Sequence, residues 1–363
     1  MATQLIRKLR ARGVLVPFKR PPVAAGGAMS AAALVLVDLE TDQGLTGRAY
    51  LFAFSEAMVR TTVACVEALA SSVEGDSVEP LALERSVRQR FRLFDTHGIL
   101  GQAIAALDMA AWDVHAQAAS MPLAQMLGGS MDPIPAYNSC GLWIQDPDTL
   151  AAEAQQLLAE GEFTALKMRI GRPDPRADLA AVRALRGSLP DDVHLMSDFN
   201  QSQNVNSAIT RGQMLDDEGL YWIEEPVRHD DYAGCARVAQ ALRTPIQLGE
   251  NLRSELEMEQ AVRAGSARFY MPDVQRIGGV SGWLRAAAAA ELHALDLSCH
   301  LFPEISVHLL AASATAHWLE YVDWANPVLA EPLQIEHGHA VIPEHPGNGV
   351  IWNEDAVTHY QID

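Results

Sequence analysis

The chain has 363 residues, of which 27 are Lys or Arg and 46 are Asp or Glu, giving a formal charge of −19 at pH 7. A surface this acidic repels nucleic-acid phosphates and anionic lipid, so neither is expected as a partner. Hydrophobic residues make up 49% and charged residues 20%, which excludes global disorder and allows a large core in about two domains.

Four scattered cysteines, Cys65, Cys140, Cys235 and Cys299, show no CxxC pair and no zinc spacing, as expected of reduced thiols in a cytoplasmic protein. The apolar stretch at 13–18, after a basic start, is too short for a signal sequence. No uncharged apolar run approaches the roughly 18 residues of a membrane helix.

Residues 31–39 (AAALVLVDL) and 48–54, joined by a Gly-containing turn, read as a β-hairpin. Helical patterns follow over 56–127, including a buried Ala-rich helix at 102–113. Residues 1–130 are therefore expected to form an α+β domain. From there to about 325 a second rhythm takes over. Short β-like segments at 165–170, 194–199, 221–224, 246–250, 268–273 and 297–301 each end on polar residues and precede an Ala/Leu-rich stretch. Lys167, Asp198, Glu224, Glu250, Asp273 and His300 recur roughly every 25 residues, about the length of a strand, a helix and two loops. Such units in series favour an α/β fold of the closed (β/α) barrel type over a doubly wound sheet. Residues 326–363 lose the rhythm and are expected to return to the first domain.

In a parallel barrel every strand end opens on one face. Asp198, Glu224 and Glu250 would then surround one mouth, with Glu225 turned away from Glu224 by strand alternation. Three ionised carboxylates this close repel one another unless a cation neutralises them, and an all-oxygen set suits Mg²⁺ better than zinc. Each acid has a plainer reading as the cap of the next helix. Asp273 beside His300 would fix one imidazole tautomer and make a general base. Lys167 and Arg169 flank Met168 across the mouth, and Asn200 shares the face of Asp198.

Taken in order, these stretches resemble the enolase superfamily and, within it, the mandelate racemase group. The matching motifs are AAWD at 110–113, ALKMRIG at 165–171, DFNQ at 198–201, WIEEP at 222–226, LGEN at 248–251, MPD at 271–273 with IGG at 277–279, SCHLF at 298–302, HWLE at 317–320 and PGNG at 346–349. The resemblance implies a modified (β/α)₇β TIM-type barrel under an α+β capping domain completed by the C-terminal segment. It implies Mg²⁺ on Asp198, Glu224 and Glu250, and His300 oriented by Asp273 as the base that removes a substrate α-proton. Lys167, with Ser139, would hold the substrate carboxylate, and a protonated Glu320 would donate to the enolate oxygen. A homo-oligomer is expected of this family type.

The motif departs from the racemase pattern at Arg169, which stands where the second lysine base would be. Arginine is a poor proton acceptor at neutral pH and a good fixed cation. A racemase or epimerase acting on a 2-hydroxy carboxylate and a dehydratase of 2,3-dihydroxy acids using His300 alone both remain open. The apolar segment at 18–30, with Val23 and a hinge at Gly26-Gly27, and the nearby Phe54 are expected to cover the distal part of the substrate.

Overall fold

Eight short parallel strands, Ile134–Asn138, Ala165–Arg169, His194–Asp198, Leu220–Glu224, Ile246–Leu248, Phe269–Tyr270, Asp296–Leu297 and Leu319–Tyr321, form the centre of the protein. The computed structural model describes residues 3–25 and 27–362, so Gly26 of the expected hinge lies outside the described residues. Each strand pairs in parallel with the next. The eighth pairs with the first, and a parallel bridge between Leu297 and Ala316 closes the circle. Helices follow each of the first seven strands, so the barrel is of the (β/α)₇β type, and closure removes every open edge. Its lower interior is filled by Tyr137, Met196, Trp222, Phe269 and Trp318.

The strands are shorter than the sequence reading gave. Lys167, Arg169, Asp198 and Glu224 stand on strands, whereas Glu250 lies in the turn just beyond its strand, and Asp273 and His300, past the ends of theirs, pair with each other in an isolated parallel bridge. Gly249 shows why at one of these exits. Its φ is 138°, and a Cβ there would lie 2.8 Å from the Met271 backbone nitrogen, so only glycine admits the turn that carries Glu250.

The capping domain is a three-stranded antiparallel sheet, Ile6–Pro17, Ala31–Thr41 and Thr46–Phe52, backed by the helices Glu56–Val73 and Ile99–Ala118. The first of these strands was not anticipated, because four cations (Arg7, Lys8, Arg10 and Arg12) mask its alternation. Arg12 finds partners in Asp38 (3.0 Å) and Glu354 (2.6 Å). Buried polar contacts fix this domain on the barrel. Asp108 accepts from the Ser281 backbone N–H (2.9 Å) and hydroxyl (2.5 Å), and Gln275 pairs with both backbone groups of Phe52. The C-terminal segment ties in both directions. Its hairpin, Ile335–Glu336 with His339–Ala340, pairs with the first barrel strand, while Trp352 donates to Asp38 on the capping sheet (2.8 Å).

His308, on the helix Pro303–Ala311, is fully buried between two such ties. Its Nδ1 accepts from the Ala124 N–H (3.2 Å) and its Nε2 faces the Asn348 carbonyl (3.1 Å), an arrangement that needs the neutral ring. Burial accordingly lowers its pKa to about 4. The unfolded chain binds a proton here near 6.5 and the folded one does not, so stability falls as pH drops through that window, by on the order of 3 kcal/mol. Urea titrations between pH 7 and pH 4 should show His308→Gln losing less stability than the parent by that amount. Equal losses would contradict this assignment.

Candidate active site

Asp198, Glu224 and Glu250 converge at the barrel mouth, with one carboxylate oxygen of each within 4.8 Å of the others. The capping alternative is answered directly, because the helices after these strands are capped by Asn204, Asp231 and Ser254. Asp198 accepts from the backbone N–H (2.6 Å) and the side-chain amide (2.7 Å) of Asn200. Burial, reinforced by repulsion from the neighbouring carboxylates against the pull of Lys167, lifts Glu224 to about 8 and moves Asp198 upward. Glu250 moves downward, since His300, Arg276 and Lys167 outweigh its burial.

Glu225 belongs neither to the trio nor to the cavity lining, as alternation suggested. A left-handed backbone (φ 35°) leaves it buried beside Glu250, where Asn251 donates to it (2.8 Å) and, at 3.0 Å, to Glu250. Burial and the Glu250 charge hold its carboxyl well above the ordinary range. This excess of buried negative charge, offered by oxygen atoms alone, fits a hard divalent cation.

Asp273 does two things. One oxygen caps the short helix Val274–Ile277 by accepting from the Gln275 N–H (2.7 Å), and the other lies 2.7 Å from His300 Nδ1. His300 is 8% exposed, and its Nε2 faces the mouth 3.5 Å from Glu250. Burial disfavours the imidazolium, yet Glu250 and Asp273 together raise its pKa to about 9.

Lys167 lies between Glu224 (2.9 Å) and Glu320 (2.6 Å). These carboxylates overcome its complete burial and keep it charged. Glu320 differs from the expectation of a protonated donor. It accepts from the Ser139 hydroxyl (2.8 Å) and the Leu301 N–H (3.0 Å), and Lys167 overrides its burial to hold it ionised, near 2. Ser139 is accordingly directed at Glu320, not at the cavity.

Arg169 is 6% exposed, with its guanidinium carbon 4.2 Å from the centre of the Trp143 ring. Its Nε stands 3.9 Å from Asp198, and Nε and Nη1 make no hydrogen bond.

These groups open on a cavity of about 110 Å³. Its polar floor is Lys167, Arg169, Asp198, Asn200, Glu250, His300 and Glu320. Pro22, Ala24, Met29, Phe52, Phe54 and Trp324 form an apolar roof. Val23 does not line it. In the hairpin Val23–Ala24 with Gly27–Ala28, alternation turns that side chain outward, 37% exposed, while its neighbours on either side face in. Trp143 and Trp324 line the cavity and were missed. Trp143 lies in an irregular segment with no periodicity to place it, and Trp324 follows the last barrel strand.

Residues 149–356 match the family model described as enolase C-terminal domain-like, and residues 7–128 match the N-terminal domain of mandelate racemase and muconate lactonizing enzyme. The chain belongs to the enolase superfamily. Within it, this enzyme falls in the mandelate racemase group and has an α/β barrel beneath a capping domain. It is 33% identical over 328 residues to 3,6-anhydro-alpha-L-galactonate cycloisomerase of Streptomyces coelicolor, with 90% of each chain covered. It is 35% identical to L-talarate/galactarate dehydratase of Salmonella typhimurium over 71% of this chain and 65% of that one. A Bradyrhizobium enolase crystallised with magnesium and mandelic acid superposes over 100% of both chains with a TM-score of 0.96 and 38% identity. Relatives of this enolase-superfamily member are lyases and isomerases, and Mg²⁺ is its cofactor, in keeping with the acidic trio and with magnesium in its structural neighbours. Among the described residues no helix is long and apolar enough to cross a membrane.

Proposed function

We propose that this enzyme removes the α-proton of a 2-hydroxy carboxylate carrying an apolar distal group, and returns it in a mandelate racemase-like racemisation or epimerisation. The observation that carries the reading is the division of the cavity, with a polar, charged floor and a roof whose one hydrogen-bonding side-chain group is the Trp324 indole N–H. A sugar acid would leave several hydroxyls facing that roof without partners. The mandelic acid in the Bradyrhizobium structure supports the same class.

In this reading a cation on the acidic trio would offset the Glu250 charge that raises His300, leaving Nε2 free to take the α-proton, while Asp273, accepting from Nδ1–H, holds the required tautomer. Lys167 meets the substrate carboxylate, kept charged and aimed by Glu320 and Glu224. Glu320, an acceptor in the free site, also orients Ser139. Mg²⁺ held by Asp198, Glu224 and Glu250 would supply the positive charge that makes an α-proton beside a carboxylate acidic enough to remove. Inversion needs a proton delivered to the face opposite His300, where Lys167, held charged, would donate it, while Arg169 beside it presents unpaired N–H groups to the substrate as a fixed cation.

Dehydration of a 2,3-dihydroxy acid is the second reading. Arg169 favours it, since a single base at His300 suffices, and so does the presence of L-talarate/galactarate dehydratase among the relatives. Incubation with Mg²⁺ and a panel of 2-hydroxy acids in D₂O, followed by NMR at the α-position, separates the two. Deuterium in both enantiomers of an aryl or aliphatic acid is the expected result, and a keto acid product would establish dehydration. No exchange across the panel would defeat both readings.

A further inference from the structure

Between the barrel mouth and the 18–30 lid runs an irregular segment, residues 139–146, that no catalytic role accounts for. Three consecutive residues in it touch Arg169 or the lid. The Leu142 carbonyl accepts from the Arg169 backbone N–H (2.9 Å). The Trp143 ring lies against the Arg169 guanidinium, and its indole N–H donates to the Arg20 carbonyl (3.2 Å). The Ile144 N–H donates to the Val23 carbonyl at the lid hairpin (2.8 Å).

We propose that Trp143 is a positioning residue that couples the seating of the lid to the aim of the Arg169 guanidinium. The inference rests on the reading of Arg169 as a substrate-facing cation. A buried arginine is ordinarily held by carboxylates that occupy its N–H groups. Arg172, three residues on, shows the ordinary case, paired with Asp178 at 3.2 Å. Arg169 is instead held by an aromatic face, which fixes the plane of the guanidinium while using none of its donors. Its Nε and Nη1 are left buried and unpaired beside the cavity. The same indole carries the lid on its far edge. The lid stem has a separate anchor, since Lys19 and Arg20 both reach Glu160 at 2.7 Å. Losing the Trp143 side chain would therefore loosen the backbone at the Lys19–Arg20 bond, while the Glu160 ion pairs and the Ile144–Val23 bond stay in place.

Two conservative steps separate the roles. Trp143→Phe keeps a ring for Arg169 and removes the N–H that holds Arg20. Trp143→Leu removes both. On the whole chain without ligand, trypsin nicking after Lys19 and phenylglyoxal labelling of Arg169 are followed by mass spectrometry, with Arg172 as the internal control. Trp143→Phe should raise nicking while leaving Arg169 as protected as in the parent. Trp143→Leu should raise both, with Arg169 labelled roughly 5–30-fold faster, the range that loss of a buried cation–aromatic contact allows. With an acid that the parent turns over, Trp143→Phe should raise KM several-fold at an unchanged kcat. Unaltered labelling and nicking in Trp143→Leu would overturn the proposal, and so would parallel labelling of Arg172, which would mean general loosening. Neither chemical readout needs turnover, so absence of proton exchange in the parent would defeat the proposed function and leave this inference to be judged on its own.

Discussion

Replacing His300 by asparagine is expected to slow α-proton exchange roughly 10²–10⁴-fold, the range that a positioned general base contributes. The imidazole is the group at the mouth whose second nitrogen is held by a carboxylate, at 2.7 Å, while the first faces the cavity. Lys167 cannot take over, since Glu224 and Glu320 keep it protonated. Asp273→Asn is the sharper companion. Asparagine retains an acceptor for the Gln275 N–H and so preserves the helix cap, but it offers His300 an amide group where a carboxylate stood. The ring is then free to present the wrong tautomer, and a loss of roughly 10²-fold or more is expected without unfolding. Exchange into D₂O read by NMR, with Mg²⁺ binding followed by calorimetry, distinguishes this from metal loss. Near-parental exchange by His300→Asn would remove the imidazole from the mechanism.

How much of this was legible beforehand follows from which signals are periodic. The barrel was readable because each βα unit repeats the same apolar-then-polar pattern, so Lys167, Asp198, Glu224, Glu250, Asp273 and His300 announce themselves by spacing. Their convergence needed only the rule that parallel strand ends share a face. Local backbone geometry was not readable. That Glu225, although outside the trio, would be buried and share the Asn251 amide with Glu250 depends on its left-handed turn. Val23 and its neighbours could not be sorted into cavity-facing and solvent-facing sets before the pairing of a two-residue hairpin was known. Trp143 carried no sequence signal, because a tryptophan in an aperiodic stretch reads as core packing. The ionised state of Glu320 was also out of reach, since it depends on Lys167, 153 positions away in the chain, turning toward it at 2.6 Å.

The trio of acids makes a prediction in which metal reverses the sign of a mutation. Without a cation, Glu224 is a fully buried carboxylate whose ionisation is opposed first by burial and then by Asp198, Glu320 and Glu250. Glu224→Gln removes that charge at nearly constant shape and leaves Lys167 its partner in Glu320 at 2.6 Å, so no cation is orphaned. In EDTA the variant should therefore unfold at a higher temperature than the parent. In saturating Mg²⁺ the order should invert. The parent gains binding free energy that grows with [Mg²⁺]/Kd, about 2.7 kcal/mol at a hundredfold excess, while the variant, short of one ligand, gains far less. Catalysis should follow the metal, so EDTA should abolish exchange in the parent and added Mg²⁺ restore it, whereas Glu224→Gln stays inactive at the same concentration. Thermal melts of both proteins at pH 8, with and without Mg²⁺, test the inversion. A variant less stable than the parent in EDTA would mean that Glu224 serves the fold through Lys167 and not a cation.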